Sequence, residues 1–259
     1  MRAHLFQLDL AWEDRAANCR LVEQAADGID IDQGDLIVLP ELFDSGFSLN
    51  TDQTVDKRGE TLSFLLELAD DLGVIIHGSR TVRDCDCTHA TNHATVVAPG
   101  ERVLCEYAKI HPFSFGREGE AFVGGNDIRT YDWSGLKVSP AVCYDLRFPE
   151  LFRFGLLAGA EAFVLGANWP DARQHHWRAL AVARAIENQA YVLAVNRTGS
   201  DPHLHYVGGT IAVGPQGDVL GELGHQPGVL SVDVDPDAVR NWRSAFRAAD
   251  DIRLIRPRP

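Results

Sequence analysis

The chain has 259 residues, 45% hydrophobic and 24% charged, an ordinary globular balance with enough length for a substantial core. Its formal net charge of −13 argues against a nucleic-acid or anionic-membrane surface, since either needs a basic patch. No apolar run reaches the ~18 to 20 residues that span a bilayer. The five scattered cysteines (Cys19, Cys85, Cys87, Cys105, Cys143) are an odd set rather than a disulfide framework, which points to a reducing cytoplasm.

In chain order, the opening residues enter a strand pattern at once (3–8) and lack the apolar core and cleavage site of a signal peptide. A helical pattern over 13–26 follows, then an apolar strand at 35–39 that runs into Pro40 and Glu41. The polar stretch 44–58 is long for a loop, and loops of that length often line a site. A helix at 60–72 and a strand at 74–79 lead to strands at 94–97 and 102–107. These two are joined by Pro99-Gly100 as a hairpin, and Lys109 lies just beyond. A strand at 137–142 runs into Cys143, and a helix at 149–159 opens on Pro149, a residue suited to a first turn. A strand at 162–165, a helix at 173–189 and a strand at 191–196 follow, then a polar loop at 201–205. Strands at 209–213 and 219–223 read as a second hairpin, before a strand at 228–234 and a helix at 236–246. A C-terminal tail, 247–259, is basic and proline-containing over 253–259 and reads either as an arm that docks on a partner subunit or as a frayed end.

The middle strands are continuous apolar runs, as in sheets covered on both faces. The expected fold is therefore a mixed-sheet α/β layer protein with two packed sheets. No linker or repeat divides it, so 1–259 reads as one domain.

Three reactive side chains each follow an apolar strand. Cys143 sits at a strand-to-helix turn, where open α/β sheets place their sites and where a nearby helix N-terminus favours the thiolate. Alone, it reads more readily as a buried structural cysteine than as a nucleophile. Glu41 follows Leu36-Ile37-Val38-Leu39-Pro40, and partial burial would raise its pKa and make it a proton acceptor. Lys109 alone would be a surface lysine, but a fixed ammonium there can stabilise an oxyanion. If the three strands are neighbours in one sheet, a nucleophile, a base and a cation converge at one edge, the minimum for acyl transfer through a thioester.

Those segments carry a resemblance. Leu39-Pro40-Glu41-Leu42-Phe43, Tyr107-Ala108-Lys109-Ile110-His111-Pro112-Phe113 and Val142-Cys143-Tyr144-Asp145-Leu146-Arg147-Phe148-Pro149-Glu150 resemble the three signature segments of the nitrilase superfamily, the carbon–nitrogen hydrolases. The stretches 166–173 and 183–189 resemble further motifs of that family, so the likeness covers nearly the whole chain. The resemblance implies a four-layer α-β-β-α sandwich, paired into a homodimer or higher homo-oligomer, and no cofactor or metal. It implies Cys143 as nucleophile, Glu41 as general base and Lys109 as the oxyanion-stabilising cation, with the Tyr144 N–H as second donor. A second glutamate of the family positions substrate; Glu118 matches its place, with Glu120 the alternative. The implied reaction is hydrolysis of a small amide to acid and ammonia.

Ala167-Asn168-Trp169-Pro170, with Arg173 and Trp177, resembles the ω-amidase branch, which acts on monoamides of short dicarboxylates. N-carbamoyl-amino acid hydrolases and aliphatic amidases share the same three catalytic residues. Arg147 is expected either to bind a substrate carboxylate in bidentate fashion or to pair with Glu150 or Asp145. Trp169, Phe43 and Phe113 read either as pocket walls or as plain core, the commoner place for aromatics at strand ends, and Arg173 as a carboxylate contact or a helix-start charge. Pro140 interrupts the strand before Cys143 and predicts an edge, a bulge or a local distortion. A metal-dependent hydrolase is the remote rival, because His175-His176, His203-Leu204-His205 and Cys85-Asp86-Cys87 form no complete ligand set. Adjacent helical residues such as His175 and His176 are expected to point apart. A non-catalytic binding protein is the other.

Overall fold

A computed structural model describes residues 1–83, 89–100 and 102–253. The first half runs β1 (Arg2–Gln7), α1 (Arg15–Asp27), β2 (Leu36–Val38), α2 (Thr51–Thr54), α3 (Glu60–Leu72), β3 (Ile75–Val82), β4 (Thr91–Ala98) and β5 (Arg102–Ala108). Next come β6 (Tyr131–Trp133), β7 (Leu136–Val142), α4 (Pro149–Leu157), β8 (Ala162–Ala167), α5 (Gln174–Asn188) and β9 (Tyr191–Asn196). The remainder is β10 (Thr198–Ser200), β11 (His205–Val207), β12 (Ile211–Val213), β13 (Val219–Glu222), β14 (Gly228–Asp233) and α6 (Pro236–Ala245).

Two sheets of six strands result, in the orders β14-β1-β2-β3-β4-β5 and β13-β12-β9-β8-β7-β6, with β10 and β11 as a separate ribbon. Each sheet has a parallel centre, β1-β2-β3 in one and β7-β8-β9 in the other, extended by antiparallel strands. The two-residue period of β2 divides its side chains between layers. Leu36 and Val38 enter the core between the sheets, while Ile37 and Leu39 pack with Val22 and Ala26 of α1 and Leu65 and Ala69 of α3. On the far side, Leu151 and Phe152 of α4 and Trp177, Ala181 and Ala185 of α5 cover the second sheet. This is the expected α-β-β-α sandwich.

Local chemistry sets the element ends. Asp14 caps α1, its side chain accepting from Ala17 N at 3.0 Å. Pro149 opens α4 and Pro236 opens α6, where a missing N–H is no loss. Both expected hairpins form, β4 with β5 and β12 with β13. The short strands β6, β10 and β11 and the single turn α2 fall in stretches whose patterns are too brief to predict. Pro140 causes no bulge: the parallel register with β8 runs unbroken through it, pairing Pro140 with Val164. On its other flank β6 pairs only with residues 136–138, so Pro140 lies where β7 has become an edge. In the tail, Ala248–Asp251 form a short 3-10 turn, and 254–259 lie outside the described residues.

One buried group makes stability depend on pH. His77 of β3 is fully buried, its Nδ1 3.2 Å from the Tyr131 hydroxyl of the second sheet and its Nε2 without a hydrogen-bond partner among the described residues. Burial lowers its pKa from 6.5 to about 3. The folded ring therefore stays neutral where an unfolded one would gain a proton. Its contribution to stability is complete above about pH 6.5 and is lost as pH falls from there towards 3. His77→Phe should flatten that limb, measured as the difference in denaturant midpoint between about pH 7 and pH 4.5. An unchanged difference would mean that other groups set the acid sensitivity.

Candidate active site

Glu41 lies three residues beyond β2, Lys109 directly after β5, and Cys143 directly after β7. The three strands are not neighbours in one sheet. β2 and β5 are separated by β3 and β4, and β7 belongs to the other sheet. The side chains meet because the sheets pack face to face, so the site is assembled across the ends of both. Two residues here adopt left-handed backbone, Leu42 (φ 46°) next to Glu41 and Cys143 itself (φ 43°). Such conformations cost free energy in a non-glycine residue and persist where surrounding contacts enforce them.

For Glu41 those contacts come from four donors. Lys109 Nζ and Asn92 Nδ2 each reach Oε1 at 2.8 Å. The Asn168 backbone N–H donates to Oε2 at 3.0 Å and its Nδ2 to the same oxygen at 3.3 Å. Asn168 Nδ2 also reaches the Glu41 carbonyl at 2.7 Å. Gly166 of β8 makes this approach possible: a Cβ there would lie 2.4 Å from Leu39 O and 2.7 Å from Glu41 N.

Lys109 is fully buried and bridges two carboxylates, Glu41 and Glu118, with Glu118 Oε2 at 2.8 Å. Glu118 also accepts from Asn92 Nδ2 at 3.2 Å and from Phe113 N at 2.5 Å. Glu120, the alternative second glutamate, is exposed and paired with Arg117.

The electrostatics correct two expectations. Burial alone would raise Glu41, but the Lys109 ammonium and the Asn168 donors outweigh it and hold the carboxyl below its ordinary value. Burial and the charge of Glu41 push the Cys143 thiol well up, with Lys109 opposing. The resting pair is thus a thiol beside a carboxylate, not a preformed thiolate. Burial opposes the charge on Lys109, yet Glu118 and Glu41 raise its pKa, so it stays an ammonium. Burial and the charge of Glu41 raise Glu118.

Asp145, fully buried, pins the turn that carries Cys143. One oxygen accepts from Val142 N at 3.0 Å and from the Tyr107 hydroxyl at 2.8 Å; the other accepts from His111 N at 3.0 Å. It is therefore not the partner of Arg147, and neither is Glu150. Tyr144 is the second residue of the 3-10 turn Cys143–Arg147, a position whose N–H has no partner within the turn.

Phe113, Tyr144, Arg147, Trp169 and Arg173 line one tight cavity with Cys143, of about 20 Å³. Phe43 does not; it is fully buried in the core beside α3, 6.1 Å from Phe64. Phe47 and Leu204 line the cavity instead, and with Phe113 and Arg173 they also border an outer cavity of about 610 Å³. Among the described residues no carboxylate pairs with Arg147 or Arg173. Arg147 lies over the Trp169 ring at 4.7 Å, and Arg173 over Phe113 at 5.2 Å.

Asn92, Asp145 and Asn168 have contacts that sequence reasoning did not assign. Asp145 carried a signal, an acidic residue placed to cap the turn after a strand. Asn92 carried none, because it precedes the expected strand at 94–97 in the polar run Thr91-Asn92-His93. Among the described residues no group of three His, Cys, Asp or Glu side chains is placed to hold a metal. Cys85 and Cys87 lie outside the described residues. His175 and His176 do not point apart, their rings lying 4.0 Å from each other.

With this geometry in place, similarity to known proteins becomes informative. Residues 2–244 match the profile of the family described as "Carbon-nitrogen hydrolase". Omega-amidase YafV of Escherichia coli K12 is 35% identical over 259 residues, covering 98% of each chain. The 2-oxoglutaramate amidase of Bacillus subtilis 168 is 36% identical over 223 residues, covering 85% of each. A Xanthomonas campestris protein of the CN-hydrolase superfamily, solved with an arsenic adduct in its active site, superposes with a TM-score of 0.93. It is 32% identical, with 99% of this chain and 98% of that one covered. A profile match over almost the whole length, relatives above 30% identity and a shared sandwich establish that this chain belongs to the carbon-nitrogen hydrolase family.

Proposed function

We propose that the protein is an amidase that hydrolyses the ω-amide of a short dicarboxylate through a thioester on Cys143. The observation that carries this reading is the pair of guanidiniums, Arg147 and Arg173, beside the thiol with no carboxylate partner among the described residues. A neutral aliphatic amide would have no use for them, whereas a carboxylate at the far end of the substrate would satisfy both. Relatives named for ω-amidase and 2-oxoglutaramate amidase activity support it. Asn168 lines the same cavity, and its Oδ1 is buried without a hydrogen-bond partner among the described residues, an acceptor suited to an amide N–H.

In this reading Glu41 takes the thiol proton as Sγ bonds to the amide carbon. Lys109 and the Tyr144 N–H hold the resulting oxyanion. Glu41 passes its proton to the amide nitrogen, the C–N bond breaks and ammonia leaves. It then deprotonates water, which attacks the thioester. The C–S bond breaks, the acid departs, and the thiol recovers its proton from Glu41. Glu118 shares Lys109 and Asn92 with Glu41, and in this reading it is the second glutamate that positions substrate. The proposal extends to a reducing, cytoplasmic setting, since the nucleophile must be free, as Cys19, Cys105 and Cys143 are. It also extends to a homodimer docked in part by the tail 247–259. Exposed Phe154 and Leu157 on α4 and Ile186 on α5 support that assembly.

The test is ammonia release from ω-amides, neutral amides, nitriles and N-carbamoyl-amino acids, the last also releasing carbon dioxide. Intact-mass measurement during turnover should show an acyl adduct on Cys143 that disappears in Cys143→Ala. Arg147→Ala should raise KM for carboxylate-bearing amides by about 30-fold, the order expected when one partner of a hydrogen-bonded charge pair is truncated, with little effect on neutral amides. Equal effects on both classes would make Arg147 structural and remove the dicarboxylate reading.

A further inference from the structure

Among the described residues Arg147 makes a single side-chain hydrogen bond. Its Nη2 lies 3.2 Å from His176 Nδ1, and its other neighbours are the faces of Trp169 and, at 5.9 Å, Tyr144. A guanidinium has donors only. His176 Nδ1 must therefore accept, and the proton of the neutral ring sits on Nε2. The histidine stands on the first turn of α5, which is itself anchored. Gln174 Nε2 donates to Gly208 O at 3.0 Å, and Trp177 Nε1 to Gly209 O at 2.7 Å.

We propose that His176 is a positioning residue, which through Nδ1 aims the Arg147 guanidinium at the substrate carboxylate and releases it when protonated. The inference rests on Arg147 being the carboxylate anchor. The charged and titratable groups acting on His176 are Arg147 from the turn after β7, Arg173 just before α5, and His175 beside it. Each is cationic or becomes so on protonation. Together with burial, which contributes most, they lower the pKa of the ring below its ordinary value. At neutral pH the contact is intact. As pH falls through that lowered pKa, Nδ1 gains a proton, the hydrogen bond becomes a repulsion, and KM for carboxylate substrates rises.

Succinamate, the monoamide of a four-carbon dicarboxylate, and neutral butyramide serve as probes for His176→Ala, His176→Asn and Arg147→Ala. His176→Ala should raise KM for succinamate about 10-fold, the scale of one hydrogen bond to a charged group, and leave kcat within about two-fold. KM for butyramide should not move. His176→Asn keeps an acceptor in place but cannot titrate, so it should restore KM at neutral pH and abolish its rise in acid. The proposal fails if His176→Ala leaves KM for succinamate unchanged or shifts both substrates equally, or if the acid rise persists in His176→Asn. If Arg147→Ala itself leaves succinamate unaffected, the anchor reading falls and takes this inference with it. A rise in Arg147→Ala without one in His176→Ala sinks the role of His176 alone.

Discussion

Glu41→Gln should lower kcat by roughly 100- to 10,000-fold, the range that general acid–base catalysis supplies. The size follows from the protonation states. Burial and the Glu41 charge keep Cys143 a thiol, so no standing thiolate exists to attack in the absence of a base. A glutamine also turns an N–H towards Asn168 N, itself a donor, so Glu41→Asp is the companion variant. Both should slow alkylation of Cys143 by iodoacetamide as well as turnover. Were Cys143 a preformed thiolate, alkylation would survive while turnover fell, and the mechanism would need another proton acceptor for acylation. In the wild type, Lys109 and Asn168 hold Glu41 below its ordinary value of 4.5. Protonation of this base should therefore cost activity only below about pH 4.5, while the high thiol pKa makes no demand for alkaline conditions.

Gly166→Ala should be nearly as damaging, although Gly166 carries no functional group. The added methyl would meet Leu39 O at 2.4 Å, Glu41 N at 2.7 Å and Pro40 C at 2.8 Å, all of them backbone atoms. Backbone cannot swing aside as a flexible side chain does. Either β8 withdraws from the end of β2, or the segment carrying Glu41 shifts; both break the Asn168–Glu41 contacts. Overpacking of this kind costs about 1–3 kcal/mol of stability. Displacement of a catalytic group by as little as an ångström can cost about 100-fold in rate. Denaturant unfolding and steady-state kinetics on the same preparation check both. A variant with a normal midpoint and full activity would show that the two sheet ends are not held as tightly as these distances imply.

The elements were legible where patterning was long. The helix at 60–72 and the strand at 191–196 occur at the expected residues. The strands β6, β10 and β11 were not, because three residues show no period and gain their place only from a partner strand. Pro140 read as a disturbance because a proline's cost depends on whether its flank is paired, which sequence alone does not say.

Chemical type and local position were written in the chain: a carboxylate, an amine and a thiol, each just past an apolar strand, in motifs specific enough to name a family. Only the tertiary structure decided that they meet across two sheets rather than along one. It decided that Glu118, not Glu120, faces Lys109, that Phe43 belongs to the core while Phe47 lines the cavity, and that Asp145 pins the nucleophile's turn instead of pairing with Arg147. It also reversed the expected pKa of Glu41. Desolvation is foreseeable for a residue at a strand end, but the sign of the shift belongs to the donors that surround it. Those donors, Lys109, Asn92 and Asn168, come from three other segments of the chain. Strand ends and motifs follow from local side-chain pattern, whereas burial, hydrogen-bond partners and field are properties of packing between distant segments.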